Sequence, residues 1–195
     1  MERGFKTWAE NLAEGLRREL GTSPVGPIDL VALAQSLGVK LLTPRELPGV
    51  SGDDLHQLLV RDRSGWSAAS IKRNGVPLII YNPAHSTGRQ SSDIAHEIAH
   101  ILLNHDPGTI VLSEDGSFVM RSFVADQEEE ANWLAWCILL PRRALEHCIR
   151  SKMSMEQISA AFGTSEVLVR FRIQMTGIRR QYRVPGPKRI PAKVP

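Results

Sequence analysis

The pentapeptide His96-Glu97-Ile98-Ala99-His100 constrains this chain more than any other stretch. Histidines four residues apart share a face on an α-helix, where positions i and i+4 lie one above the other. The pattern therefore asks for a helix here. It also asks for a neighbouring element, because two imidazoles alone do not make a catalytic metal site. Neutral histidine nitrogens suit Zn²⁺, and the intervening Glu97 is placed to take a proton from an attacking water. Residues 94–104 read as that helix, with Ser91, Ser92 and Asp93 as competent N-caps and Asp106-Pro107-Gly108 as its stop. The feature argues for a metallohydrolase, and most directly a peptidase, if the rest of the chain supplies a third ligand.

A third histidine ten residues after the first would complete one kind of site, but position 106 is Asp and position 103 is Leu. His105 falls nine residues after His96, which on a continuing helix turns it to the opposite face. It reads as a C-terminal helix residue favoured by the dipole. The other source is a carboxylate from a following helix, and Asp126-Gln127-Glu128-Glu129-Glu130-Ala131-Asn132 offers three glutamates. Glu128 shares a face with the small Ala131 and Ala135, which would let two helices approach closely enough to share an ion. Asn132, four residues on, is placed for a hydrogen bond to a ligating histidine. Glu130 is the second choice, and Glu129 reads as solvent-facing.

With 195 residues, 42% of them hydrophobic, the chain can bury a substantial core. It reads as one globular unit over residues 1–178, including a helical segment 151–178, followed by a basic flexible tail over 179–195. No apolar run is long enough to span a membrane, and the first residues lack the apolar core of a signal peptide. Cys137 and Cys148 are too few for a disulfide framework, so reduced thiols and a cytoplasmic location are expected. From Val167 onward there are eight Lys or Arg and no Asp or Glu, which leaves a net −5 on the first 166 residues of a chain whose total is +3. A basic end on a mildly acidic body suits nucleic acid or an acidic partner, or a solvated tail.

Phe5, Trp8, Leu12, Leu16 and Leu20 mark an amphipathic helix ended by Gly21. A short helix fits 27–37, with proline at its start and Gly38 past its end. Strands are expected over 39–42, 58–60, 66–71 and 76–81, with Asn74-Gly75 as a hairpin turn between the last two. Residues 111–124 read as short strand and loop around Asp115-Gly116. Helices follow over 126–140, stopped by Pro141, and then over 142–149, 155–162 and 165–174. The last two, joined by Gly163-Thr164 and capped by Ser165, have helix-turn-helix form. Arg170, Arg172, Arg179 and Arg180 are candidates to meet phosphates there.

The runs Asp93-Ile94-Ala95-His96-Glu97-Ile98-Ala99-His100-Ile101-Leu102-Leu103 and Glu128-Glu129-Glu130-Ala131-Asn132-Trp133-Leu134-Ala135 resemble the ImmA/IrrE family of metallopeptidases. The likeness is closed by Ile138-Leu139-Leu140-Pro141 and continues through 154–174, covering residues 28–176. The family usually has an aromatic residue where Ser92 stands and Phe where Leu134 stands. The resemblance implies an α+β, zincin-like metallopeptidase domain with a small antiparallel or mixed sheet, an active-site helix and a C-terminal helix-turn-helix-like subdomain. It implies His96, His100 and Glu128 as ligands of zinc, with manganese as the other metal a His₂Glu set accepts, and Glu97 as general base. Its implied substrate is a helix-turn-helix transcriptional repressor, cleaved in stress response or mobile-element control. The competing reading is a DNA- or repressor-binding regulator, such as a toxin–antitoxin component, with a silent or structural metal. Strand 78–81 is a candidate edge for an extended substrate, and Tyr81, His85 and His105 are candidates for oxyanion stabilisation.

Overall fold

The computed structural model describes residues 1–73, 75–105, 111–112, 118–119, 125–178 and 181. Helix α1, Phe5–Glu19, follows the expected period, but the face it buries is set by Ala9, Ala13, Leu16 and Arg17. The two alanines let α1 approach a later helix closely, which rotates the stripe and leaves Trp8 44% exposed against the ring of Phe5. Helix α2, Leu30–Ser36, starts later than the proline suggests, because the Asp29 carboxylate accepts from the N–H groups of Val31 and Ala32.

The strand expected at 58–60 is overturned. Ser51 and Asp54 form a reciprocal capping box that starts helix α3, Gly52–His56, and the chain continues through a single π-helical turn over Gln57–Arg61. Three apolar residues are too few for their period to separate strand from helix, and the cap upstream decides. Here Val60 is 58% exposed, and Leu58 contributes its carbonyl to Trp66 Nε1.

Strands β1 (Lys40–Leu42), β2 (Ala68–Arg73) and β3 (Val76–Tyr81) form a mixed sheet in the order β1-β3-β2. β3 runs parallel to β1 and antiparallel to β2, with Arg73 paired to Val76 across a two-residue connection whose Gly75 has φ +80°. β3 is therefore the central strand, with Leu78 and Ile79 buried, and cannot be the edge expected for substrate pairing. Its continuous apolar run is the mark of a strand covered on both faces. Among the described residues, β2 pairs on one side only.

Helix α4, Thr87–Leu102, carries the histidine pair and begins at Ser86 rather than at Ser91–Asp93. Tertiary contacts support its early turns. Gln90 Nε2 donates to the carbonyls of Pro83 and His85, and Gly88 lies so close to Thr164 that an added Cβ would stand 3.2 Å from its carbonyl carbon. The helix ends at Leu103, with Asn104 at φ 50°, so the stop comes before Asp106-Pro107-Gly108, which lie outside the described residues. Strands β4 (Val111–Leu112) and β5 (Phe118–Val119) pair antiparallel, as expected for a short strand region, while the turn at Asp115-Gly116 lies outside the described residues.

Helix α5, Ala125–Leu139, packs against both α1 and α4. Its last carbonyls, left without helical partners before Pro141, are met by two buried guanidinium groups. Arg17 donates to the Ile138 carbonyl at 2.8 Å, and Arg172 donates to that of Leu140 at 3.0 Å. Helices α6 (Arg142–Arg150), α7 (Met155–Phe162) and α8 (Glu166–Met175) enclose a second core around Leu140, Leu145, Ile158, Val169 and Ile173. Gly163 at φ +58° turns α7 into α8, and Ser154 and Ser165 cap the two helices as expected. Arg172 is 0% exposed and ion-paired with Glu10, which removes it from the phosphate-binding candidates. Arg170 is exposed, while Arg179, Arg180 and most of the basic tail lie outside the described residues. No described helix is long and apolar enough to cross a membrane.

Candidate metal centre

α4 and α5 bring His96, His100 and Glu128 together, with one donor atom from each lying within 4.8 Å of the others. His96 Nε2 and His100 Nε2 are 3.0 Å apart, and the Glu128 carboxylate stands 3.2 Å from the first and 3.4 Å from the second. Ligands at about 2.0–2.1 Å from a tetrahedral zinc are separated from each other by about 3.3 Å, so the donor set fits such an ion in both chemistry and spacing. Ala131 and Ala135 are buried where the two helices meet, which is how a carboxylate on α5 comes within reach of imidazoles on α4. The neighbouring glutamates point elsewhere. Glu129 is exposed near the N-terminal amine of Met1, and Glu130 faces His105.

Burial and the adjacent His96 hold the His100 imidazole below its ordinary pKa, against the opposing pull of Glu128. The shift favours the neutral ring, which is the form that binds metal. Glu97 is 3% exposed and lines the same cleft as His96 and Glu128, a space of about 370 Å³. Its other walls are Ser67 and Ala68 at the start of β2, Ser92 and Asp93 on α4, and Asn132, Ala135 and Trp136 on α5. Ser92 bonds back to the Gly88 carbonyl, and Leu134 is fully buried, so both positions that differ from the ImmA/IrrE pattern are accommodated by local packing.

Asn132 reaches the cleft wall, but the partner of the outer nitrogen of His100 is His105, with Nδ1 to Nδ1 at 3.0 Å. The continuing-helix argument places His105 on the wrong side because the helix does not continue. The αL conformation of Asn104 reverses the chain and folds His105 back on the last turn. Asn after the final apolar position was the signal available in the sequence. None of the three oxyanion candidates lines the cleft. His85 is instead held between Asp93 at 3.2 Å and Asn82 at 3.4 Å. Asn82 also donates to the carbonyls of Arg63 and Trp66, tying the loop after β3 to the approach to β2. This network joins residues distant in sequence and has no signature in the chain.

The α+β fold agrees with the comparison to protein families. The model of the M78 peptidases, described as the IrrE N-terminal-like domain, matches residues 35–174. The chain belongs to this family. No curated protein matches it. Among solved structures, it is similar to a Mycobacterium tuberculosis transcriptional regulator, with a TM-score of 0.54 and 15% identity. That likeness is one of fold. It covers 89% of this chain and 48% of the regulator, so the chain spans about half the regulator's length.

Proposed function

We propose that this protein is a zinc-dependent endopeptidase. Its substrate would be a regulatory protein, in keeping with the ImmA/IrrE resemblance a helix-turn-helix transcriptional repressor controlling stress-response or mobile-element genes. The observation that carries this reading is the convergence of His96, His100 and Glu128 within 4.8 Å beside the buried Glu97. A bound zinc would supply Lewis acidity to the scissile carbonyl and the attacking water. Glu97 would accept the proton from that water and deliver it to the leaving amine. With Ala68 on the cleft wall and one side of β2 unpaired among the described residues, β2 replaces β3 as the strand an extended substrate segment would join. The catalytic unit would extend over residues 1–178, with 179–195 as a basic tail. The two free, buried cysteines fit a reducing, cytoplasmic setting. The burial of Arg172 weighs against the reading in which the C-terminal helices serve mainly to bind DNA.

The test is cleavage of a candidate repressor by the metal-loaded chain, with and without chelator. Cleavage should stop on chelation. Glu97→Gln should retain the metal and reduce turnover by about 10²–10⁴-fold. Cleavage at the native rate by the Glu97→Gln protein would refute the mechanism, and chelator-resistant cleavage would refute the class.

A further inference from the structure

From this reading of the centre, we infer that His105 and Glu130 form a positioning relay that fixes the tautomer and orientation of His100. The device begins at the end of α4. Asn104 at φ 50° lets its own N–H bond the Ile101 carbonyl at 3.1 Å and the His105 N–H bond the His100 carbonyl at 3.0 Å. These two bonds define a Schellman ending, in which the residue after the αL position returns to the residue five before it. In this helix those two residues are both histidines. The rings meet edge to face with centroids 5.0 Å apart, and the His105 side chain is only 8% exposed.

The proton positions follow in sequence. His100 turns Nε2 toward His96 and Glu128, so as a metal ligand it keeps Nε2 unprotonated and carries its proton on Nδ1. His105 Nδ1, 3.0 Å away, then accepts that proton's hydrogen bond with its own lone pair. The His105 proton is thereby forced to Nε2, which faces Glu130 Oε2 at 3.6 Å. The Glu130 carboxylate favours that His105 tautomer through its charge, and His105 holds the His100 ring from behind. An outer partner of this kind typically accounts for 10–100-fold in metal affinity.

The experiment is zinc titration of the metal-stripped full chain against a chromophoric chelator. His105→Leu should weaken zinc binding by about 10–100-fold. His105→Asn should recover most of the loss, because its side-chain oxygen stands near the position of Nδ1 and accepts the same bond. Glu130→Gln should weaken binding by less. Nitrogen-15 histidine spectra of the unsubstituted zinc-loaded protein should show His105 protonated at Nε2 and His100 at Nδ1. The opposite His105 tautomer overturns the relay without depending on any variant. Native affinity in His105→Leu also overturns it, as does an Asn variant no tighter than the Leu variant. His96→Ala separates the two readings. If His96→Ala binds zinc like the native chain, the centre itself is wrong. If it loses zinc while His105→Leu does not, the centre stands and the relay falls.

Discussion

Among the described residues, Arg17 and Arg172 have no exposed surface, and each donates to a carbonyl at the end of α5 that the helix leaves unpaired. Arg172 also pairs with Glu10, whose second oxygen accepts from the Arg142 N–H at 2.9 Å, so one carboxylate joins α1, α6 and α8. Removing one partner from a buried pair strands the other, so Arg172→Ala should lower stability by about 3–5 kcal/mol in urea unfolding. The exposed Arg170→Ala should change it by less than about 0.5 kcal/mol. Nearby, burial pushes the Cys137 thiol up to about 12, opposed by the Arg172 charge. Cys137 should therefore resist iodoacetamide at pH 8 in the native protein and react only on unfolding, as mass spectrometry would report. A thiol whose folded pKa is raised favours the folded state fully below the unfolded value of about 8.5. That contribution declines as pH rises toward the folded value.

At the scale of the element, the ends matter more than the middles. The helical period places α1, α4, α5 and the last three helices in the sequence, but the starts of α2 and α4 and the identity of α3 follow local caps and tertiary supports. The C-terminus of α4 has a functional consequence, since its αL residue is what returns His105 to His100. Asn tolerates φ of 50°, and a β-branched residue there is strained. Asn104→Gly should keep zinc affinity near native. Asn104→Val should weaken zinc binding in the same chelator titration, with a strain of about 1–2 kcal/mol working against the turn. The sheet teaches a related lesson. The apolar run of β3 identifies a strand, and its burial on both faces is consistent with the central place it takes between β1 and β2.

On the scale of the whole molecule, the candidate centre joins α4 and α5 by more than apolar contact. A metal that binds only the folded chain stabilises it by mass action, by about 4 kcal/mol when free zinc exceeds the dissociation constant a thousandfold. Chelation should therefore lower the melting temperature by on the order of 10 °C, given about 2–4 °C per kcal/mol for a chain of this size. His96→Ala should melt with and without chelator at the same temperature. The helix-turn-helix form of α7 and α8 is a packing unit in this architecture, because its turn rests on Gly88 of α4 and Arg172 reaches across to α1. Gly88→Val should destabilise that junction, as calorimetry would measure.

By itself the sequence determined what repeats along a single element. A four-residue spacing puts His96 and His100 on one face, small residues at 131 and 135 mark the approach of a partner helix, and a hairpin signal pairs two strands. These are consequences of backbone geometry, which depends only on local sequence. The tertiary structure alone decided which strand lies at the edge and that Arg172 is buried rather than free for phosphate. It also decided that Glu130, on a different helix, stands behind His105. These relations join segments through space. Their free energy comes from desolvation and from pairing across elements, and no periodicity along the chain records either.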